Sequence, residues 1–131
     1  MPSRLLWSAR VVTEARRAAF TRGVDAEATA SALLVSKGFS IVATRVRTPR
    51  GEIDLVARCE SLLLFVEVKA RARIDTAAES ILPRQRRRIV EAAEIFLARH
   101  PEYAGLDMRL DVVLVAPGRP PVHLAGAFEA E

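Results

Sequence analysis

Three charged side chains near the middle of the chain have the types and spacing needed to hold a divalent cation and act on water. Asp54 lies in the segment EIDLVAR, and Glu67 and Lys69 lie two positions apart in the segment LLLFVEVKA. The two residues between these segments, Glu60 and Ser61, are the predicted turn of a hairpin. Side chains alternate between the faces of a strand, so a two-residue turn places Asp54 opposite Glu67 on the same face. A turn one residue longer or shorter would separate them.

The same charges are also compatible with the solvated face of an amphipathic hairpin, which is the usual explanation of a Glu-x-Lys pair on a strand. The run Leu62 to Val66 is unbroken and apolar, a pattern typical of a strand that is covered on both faces. Glu67 and Lys69 continue that run. Because charges on a covered strand are costly, the sequence favours a functional explanation over a solvated surface.

The ligand chemistry of this group points to a hard cation. Two facing carboxylates that are partly buried repel each other and have raised pKa values, and a lysine or a divalent cation relieves both effects. Asp54 and Glu67, with the backbone carbonyl of Val68 and water, suit Mg²⁺ or Mn²⁺, whereas the His and Cys ligands that zinc prefers are absent from this group. We expect Lys69, a compact cation, to orient an attacking water or help to deprotonate it.

Length and composition predict one ordinary folded domain. The chain has 131 residues, of which 50% are hydrophobic and 27% are charged. Residues 1–22 are expected to form a basic helical segment, and residues 23–131 a single domain. No apolar run reaches the roughly 18 residues that cross a bilayer, and charges interrupt the N-terminal stretch, so we expect no membrane partner and a cytoplasmic location. Cys59 is expected to be a buried or half-buried thiol rather than a nucleophile.

Periodicity predicts alternating helices and strands. An apolar face recurs at helical spacing after Asp25, Gly38 can end that first helix, and Pro83 can begin a second one. The stretch near residues 72–82 is expected to be irregular. The predicted order is helix, three strands, helix and one or two strands, over residues 25–37, 39–47, 52–58, 62–70, 83–99, 108–116 and 122–128.

The basic residues are almost all arginines. Of the 20 basic residues only Lys37 and Lys69 are lysines, and the net charge is +4. The arginines form three clusters. Arg45, Arg47 and Arg50 lie around the first predicted turn, and Arg71 and Arg73 follow the third predicted strand. The third cluster, at the start of the second predicted helix, contains Arg84, Arg86, Arg87 and Arg88. Such clusters favour a polyphosphate partner such as nucleic acid, although arginine-rich helix faces are also common as solvated surface.

The two central segments together resemble a known family. Gly-Glu-Ile-Asp-Leu at residues 51–55, followed by Phe-Val-Glu-Val-Lys-Ala-Arg at residues 65–71, is similar to the core of the PD-(D/E)XK nuclease superfamily. More closely, it resembles the YraN family of small bacterial proteins, which are related to Holliday-junction resolvases and restriction endonucleases. The resemblance covers roughly residues 20–128. It implies an α/β fold of the restriction-endonuclease type, a mixed β-sheet flanked by helices with an αβββαβ core, and makes residues 23–131 a nuclease-like domain.

The resemblance also implies an activity. Members of this superfamily hydrolyse phosphodiester bonds with the help of Mg²⁺, so the expected function is that of a metal-dependent endonuclease acting on DNA, with branched or damaged DNA as candidate substrates. The alternative is a nucleic-acid-binding accessory protein that keeps the fold and the metal site but has little activity alone. Both the endonuclease and the accessory protein could act as a homodimer.

Roles for individual residues follow from the resemblance. Asp54 and Glu67 would hold the metal, Lys69 would act on the water, and Glu27 on the first helix is a further candidate catalytic residue. Candidate substrate-binding residues are Gln85, Arg84, Arg71 and Arg50, with Arg84 standing where this family would place a lysine. For three other polar residues a role in bracing or packing is favoured over a catalytic or ligand role: Asp111, His100 and His123.

Overall fold

A five-stranded mixed sheet flanked by helices organises the protein. The computed structural model describes residues 25–79 and 83–127, so the helix expected within residues 1–22 lies outside the described part of the chain. The elements, in chain order, are α1 (residues 25–36), β1 (Ser40–Thr48), β2 (Gly51–Cys59), β3 (Leu62–Ala70), α2 (Ile74–Glu79), α3 (Pro83–Arg99), β4 (Asp107–Val115) and β5 (Val122–Leu124).

Strand order follows chain order, with one change of direction. The order across the sheet is β1-β2-β3-β4-β5, and every neighbouring pair is antiparallel except β3 and β4, which are parallel. A parallel pair needs a crossover connection, and α2 and α3 supply it. This arrangement confirms the α/β fold with a mixed sheet flanked by helices.

The apolar run of β3 is covered on both sides, as the sequence predicts. The four residues Leu63 to Val66 are fully buried and alternate between two core layers. Phe65 packs beneath α3, where its ring meets Phe96 edge to face at 5.7 Å between centroids. Leu64 and Val66 pack on the other side against Ala30 and Leu34 of α1. Burial of these side chains from both faces fixes the register of the central strand.

The helices differ from the prediction in one place. α1 and α3 occupy the predicted segments, and Gly38 ends α1 with a left-handed backbone, φ 95°. The stretch expected to be irregular contains the short helix α2, and there the prediction was wrong. With only 6 residues, α2 is too short to show an amphipathic repeat, so tertiary packing of Ala77 decides its conformation. None of the helices in the described part of the chain is long and apolar enough to cross a membrane.

Candidate metal centre

The hairpin that carries the predicted site opens at Asp54. Glu60 and Ser61 form its turn, and the pairing of β2 with β3 runs from Cys59–Leu62 to Leu55–Val66, as predicted. Beyond that pair β2 stays with β1 and leaves β3. The backbone amide of Val68, which lies past the end of the ladder, donates instead to Oδ2 of Asp54 at 2.7 Å. A side chain therefore replaces a backbone acceptor where the two strands separate.

A left-handed residue in β1 accompanies a change of face in β2. Arg45 has φ 50° and lies between the pairs Thr44–Leu55 and Val46–Ile53, opposite Asp54. Strict alternation would put Ile53 in the same core layer as Leu55. Instead Ile53 packs in the layer beneath α3 and Leu55 in the layer beneath α1. A non-glycine residue with positive φ is uncommon in a strand and reverses the direction of the side chains around it.

This change of face brings three carboxylates together. Oxygen atoms of Glu27, Glu52 and Asp54 lie within 4.8 Å of one another, on the side of the sheet that carries α1. Val56, which alternation places on the same face as these strand residues, lies in the core beneath α3 instead. The expectation from strict alternation that Glu52, Asp54 and Val56 share one face is therefore wrong for Val56. Glu52 was not among the predicted site residues, although its position two residues before Asp54 was the available signal.

Arg45 supplies a positive charge to this cluster. Its Nε donates to Oε2 of Glu27 at 2.8 Å. The hydrogen bond to Glu27 and the charge of that carboxylate raise the pKa of Arg45, and the charges of Glu52 and Asp54 add to the effect against the opposing effect of desolvation. The guanidinium therefore balances one of the three negative charges and holds Glu27 in place.

The pKa of Asp54 is strongly perturbed by its surroundings. Burial and the negative charge of Glu67 raise its pKa to about 7, the amide of Val68 opposes the rise, and Glu27 and Glu52 raise it further. A carboxyl group surrounded by other carboxylates and partly removed from water is poised to exchange its proton for a cation. The raised pKa that the sequence predicts is confirmed for Asp54.

Glu67 and Lys69 reach this region from the other side of the sheet. They alternate along β3 with Val66 and Val68, which pack on the α1 side, so their side chains leave the strand toward α2 and α3. Nζ of Lys69 lies 3.2 Å from Oε1 of Glu67, and only 7% and 13% of the two side chains are exposed. The expectation that Asp54 and Glu67 share one face was therefore wrong. Glu67 is outside the three-carboxylate cluster, yet its charge still acts on Asp54.

A cavity of about 1060 Å³ lies against the carboxylates on the α1 side. Glu27 and Asp54 line it together with Val68, whose carbonyl was a predicted metal ligand. Arg71, a predicted substrate-binding residue, also lines it, and so does Arg119 in the connection between β4 and β5, which sequence reasoning did not single out. Negative and positive groups thus share one concave surface, which is the usual character of a binding site.

The other predicted substrate-binding residues lie away from that cavity. Arg84 and Gln85 are in the first turn of α3, with Arg84 exposed and Gln85 half-buried. Arg50, at the turn between β1 and β2, has its Nε 3.6 Å from a carboxylate oxygen of Glu91 on α3. Arg84, Gln85 and Arg50 therefore lie on or beside α3, whereas Arg71 lines the cavity.

Asp111 is fully buried and belongs to a separate network of hydrogen bonds on β4 and β5. Its carboxylate accepts two hydrogen bonds from Arg109, at 2.9 and 3.0 Å, and one from the amide of Gly126 at 2.9 Å. Nε2 of His123 lies 2.7 Å from the same carboxylate, and Nδ1 of His123 lies 2.8 Å from Nζ of Lys37 at the end of α1. The network ties β4, β5 and α1 together, in line with the bracing role favoured for Asp111.

His100 has the packing role that the sequence favours. Its ring stacks on Phe96 of α3 with 4.1 Å between centroids, and its Nδ1 lies 2.9 Å from the carbonyl oxygen of the same residue. Cys59 is half-buried at the end of β2, also as expected. Neither residue belongs to the carboxylate cluster.

Comparison with known proteins agrees with the motifs that form this site. Residues 26–115 match the model of the uncharacterised protein family UPF0102. The chain belongs to this family. It is 56% identical over 115 residues to a UPF0102 protein of Rhodopseudomonas palustris (strain BisB18), covering 88% of this chain and 85% of the relative. It is 52% identical over 122 residues to a UPF0102 protein of Bradyrhizobium sp. (strain ORS 278), covering 93% of this chain and 86% of that relative.

The UPF0102 assignment confirms the resemblance to the YraN family that the two central motifs indicate. The matched region runs from α1 to the end of β4, so it contains the three clustered carboxylates as well as Glu67 and Lys69. The family description names no reaction. What this UPF0102 protein does must therefore be argued from the chemistry of the site.

Proposed function

We propose that this protein is a metal-dependent phosphodiesterase of the endonuclease type that acts on DNA and uses Mg²⁺ or Mn²⁺ at the carboxylate cluster. The observation that carries the proposal is the convergence of Glu27, Glu52 and Asp54 within 4.8 Å of one another, with Glu27 and Asp54 lining a cavity. Three negative charges at this separation repel, and one guanidinium balances only one of them.

The donor set fits a hard divalent cation. All three groups offer carboxylate oxygen, which is the ligand type that Mg²⁺ and Mn²⁺ prefer. Burial and the charge of Glu67 raise the pKa of Asp54, and the charges of Glu27 and Glu52 add to the rise, which is the kind of perturbation found at functional sites. Asp54, Glu27 and Glu52 are the residues that would hold the ion, and Glu67, which acts on Asp54 from the opposite side of the sheet, is retained as a further candidate ligand. A bound ion would polarise the phosphate and acidify a coordinated water.

The remaining groups match the needs of phosphodiester hydrolysis. Arg71 lines the cavity, where it would hold a phosphate oxygen by a charge-assisted hydrogen bond. Lys69 has a buried ammonium group beside Glu67, and this pair is proposed to position the attacking water or exchange a proton with it. Arg45 keeps Glu27 oriented toward the cluster. The protein would thus supply charge stabilisation on both sides of the reacting phosphate.

The proposal is tested by cleavage assays with the purified protein. Linear duplex, single-stranded, flapped and four-way DNA are incubated with Mg²⁺ or Mn²⁺, and Asp54→Asn, Glu67→Gln and Lys69→Met are compared with wild type. Glu94→Gln, an exposed change on α3, is the matched control. Cutting that needs the ion and disappears in the site variants, but not in the control, supports the enzyme. Binding of all four DNA forms without cutting supports the accessory role instead.

Metal binding separates the two candidate ligand sets. Calorimetric titration with Mn²⁺ is expected to show one or more sites in wild type and a loss of affinity in Glu52→Gln. The same titration of Glu67→Gln decides whether Glu67 is a ligand or acts beside the metal. Absence of Mn²⁺ binding by the wild-type protein at pH 8, where Asp54 is ionised, would count against the proposed function itself.

A further inference from the structure

Two guanidinium groups line the cavity together with the carboxylates. Arg71 directly follows β3, and Arg119 lies in the connection from β4 to β5; both are exposed and both line the cavity. Asp54 lines it from β2. β3 lies between β2 and β4 in the sheet, so a ligand that reached from Asp54 to the connection carrying Arg119 would cross β3.

Backbone hydrogen bonds hold both arginines at the same end of the sheet. The amide of Arg71 donates to the carbonyl of Val115 at 3.0 Å, which extends the parallel pairing of β3 with β4 by one step. The amide of Arg119 donates to the carbonyl of Ala116 at 3.3 Å, which closes a turn immediately after β4. Within the described part of the chain, no hydrogen bond or ion pair engages the guanidinium of Arg119. The group is available to a ligand that enters the cavity.

Among the residues that the structure describes, the cavity lacks the side chains that stack on bases or read adenine. Of the described residues that line it, none is aromatic and none has a side-chain amide. Stacking on aromatic rings is how proteins usually hold unpaired bases, and Asn or Gln side chains are the usual readers of adenine. The whole chain has no asparagine and a single glutamine, Gln85, which lies on α3 and not in the cavity. What the cavity does offer is carboxylate and guanidinium groups on one surface.

We propose that Arg71 and Arg119 bind the backbone phosphates next to the phosphodiester at the metal centre, so that the protein recognises nucleic acid by its sugar–phosphate backbone and independently of base sequence. This inference rests on the proposed function and names the way in which its substrate is held. A guanidinium matches the two oxygens of a phosphate with two parallel N–H donors. The strand would run from β2 across β3 toward the connection that carries Arg119.

Each phosphate contact makes a measurable contribution to the salt dependence of binding. Neutralising one phosphate releases condensed counterions, so the slope of log K against log salt concentration changes by about 0.7 to 0.9 per contact. Loss of one contact should therefore weaken binding by the same factor for every sequence and reduce the slope by roughly one unit. A residue that only supports the fold would leave the slope unchanged.

The experiment measures fluorescence anisotropy of labelled oligonucleotides with the full-length protein and Ca²⁺ between 50 and 200 mM salt. Wild type is compared with Arg71→Ala, Arg119→Ala and Arg119→Lys, and Arg58→Ala is the matched control. Arg58 is exposed, and its Nε donates to the carbonyl of Glu60 at the far turn of the hairpin. Three probes are used: oligothymidine, a mixed sequence, and the mixed sequence with abasic sites.

We expect each alanine variant to weaken binding several-fold and to lower the slope by roughly 0.7 to 0.9, while Arg119→Lys keeps the slope and Arg58→Ala behaves as wild type. All three probes should bind within about twofold of one another. An unchanged slope in Arg119→Ala, or a preference above tenfold for one base composition, overturns the inference while metal-dependent cleavage can persist. A wild-type protein that neither binds nor cleaves these probes overturns the inference together with the proposed function.

Discussion

Oδ2 of Asp54 accepts a hydrogen bond from the backbone amide of Val68 at 2.7 Å, at the point where β2 leaves β3. This contact fixes the carboxyl group at the wall of the cavity beside Glu27. It also lowers the pKa of Asp54, but burial and the charge of Glu67 outweigh it and bring the pKa to about 7. The titration of Asp54 therefore falls within the range of ordinary experiments.

The first prediction concerns metal binding and pH. Because the ion must displace one proton from Asp54, the apparent affinity for Mn²⁺ should be constant above about pH 7 and fall about tenfold per pH unit below it. Isothermal titration between pH 5.5 and 8.5 measures this dependence. Asp54→Asn should bind Mn²⁺ weakly at every pH, with Glu94→Gln as the control. An affinity that is flat across this range would show that Asp54 does not exchange its proton for the ion.

The second prediction concerns stability without metal. Since the pKa of Asp54 in the folded state lies above its value of 3.8 in the unfolded chain, the folded protein binds more protons between these values, and this group's contribution to stability is lost as pH rises from about 4 to 7. Asparagine keeps the acceptor for Val68 but cannot ionise. The free energy of unfolding of Asp54→Asn should therefore rise relative to that of wild type across this range, and the difference should stay constant above it. Urea denaturation in EDTA measures both free energies. If the value for Asp54→Asn minus the value for wild type falls with rising pH, the pKa of about 7 for Asp54 is contradicted.

The sequence predicts most of this fold and about half of the site's geometry, for physical reasons. The apolar run of β3 and the two-residue turn at Glu60 and Ser61 specify local structure, so the hairpin and its register could be predicted from them. The change of face at Asp54 could not, because alternation assumes that every residue has an extended backbone. Arg45 breaks that assumption with φ 50°, and nothing in the residue type of an arginine indicates it.

Tertiary contacts decide the remaining features. Arg119 joins the cavity only because β4 lies parallel to β3 and ends beside Arg71, a relationship between residues far apart in the chain. Glu52 enters the cluster because Ile53 packs beneath α3, so that its neighbours on either side, Glu52 and Asp54, are directed to the α1 side. The residues with chemical roles were thus recognisable by type, while the side of the sheet on which each one acts depended on packing.

The third prediction concerns the buried ion pair of Glu67 and Lys69. Lys69→Met leaves the carboxylate of Glu67 largely buried without its partner and should destabilise the protein by about 3 to 5 kcal/mol. The double variant Glu67→Gln with Lys69→Met removes both charges and should recover most of that loss. Urea denaturation at pH 7 gives the free energies for a double-mutant cycle.

The exposed pair of Arg73 and Asp75 provides the matched control for this cycle. Nη2 of Arg73 lies 3.0 Å from Oδ2 of Asp75, but 75% and 61% of the two side chains are exposed. Because solvent screens such a pair, Arg73→Ala should cost about 1 kcal/mol or less. If Lys69→Met costs no more than Arg73→Ala, the pair in β3 is not electrostatically isolated from water.

The fourth prediction concerns the backbone at Gly51, where β2 begins. Its φ is 140°, and an added Cβ would lie 2.8 Å from Cδ and 2.9 Å from Cγ of Arg88 on α3. Gly51→Ala should cost about 1 to 3 kcal/mol, because the backbone conformation is unfavourable for any residue with a Cβ. Gly105→Ala is the control, since a Cβ there meets nothing within 4 Å. Thermal and urea unfolding measure both. Adding Arg88→Ala to Gly51→Ala removes the crowding alone, so complete recovery would show that the contact, and not φ, causes the loss.

The fifth prediction concerns the buried carboxylate of Asp111. Burial alone would raise its pKa, but hydrogen bonds from Arg109, Gly126 and His123 outweigh that effect and hold the pKa below its ordinary value. The stabilising contribution of this group is therefore present above the unfolded pKa of about 3.8 and is lost as pH falls through the lower folded value. Asp111→Asn should cost about 3 to 5 kcal/mol at pH 7, because it leaves the buried part of Arg109 without its counter-charge.

The pH dependence distinguishes this electrostatic role from a loss of shape. As the pH falls below the unfolded pKa of about 3.8, Asp111 binds its proton in the unfolded chain before it does so in the folded protein, so the difference in the free energy of unfolding between wild type and Asp111→Asn should shrink. Asp107→Asn, an exposed change at the start of the same strand, should show a small difference at every pH. Urea denaturation from pH 3 to pH 7 measures both variants. A difference for Asp111→Asn that stays constant to pH 3 would mean that the network is held by packing and not by the charge of Asp111.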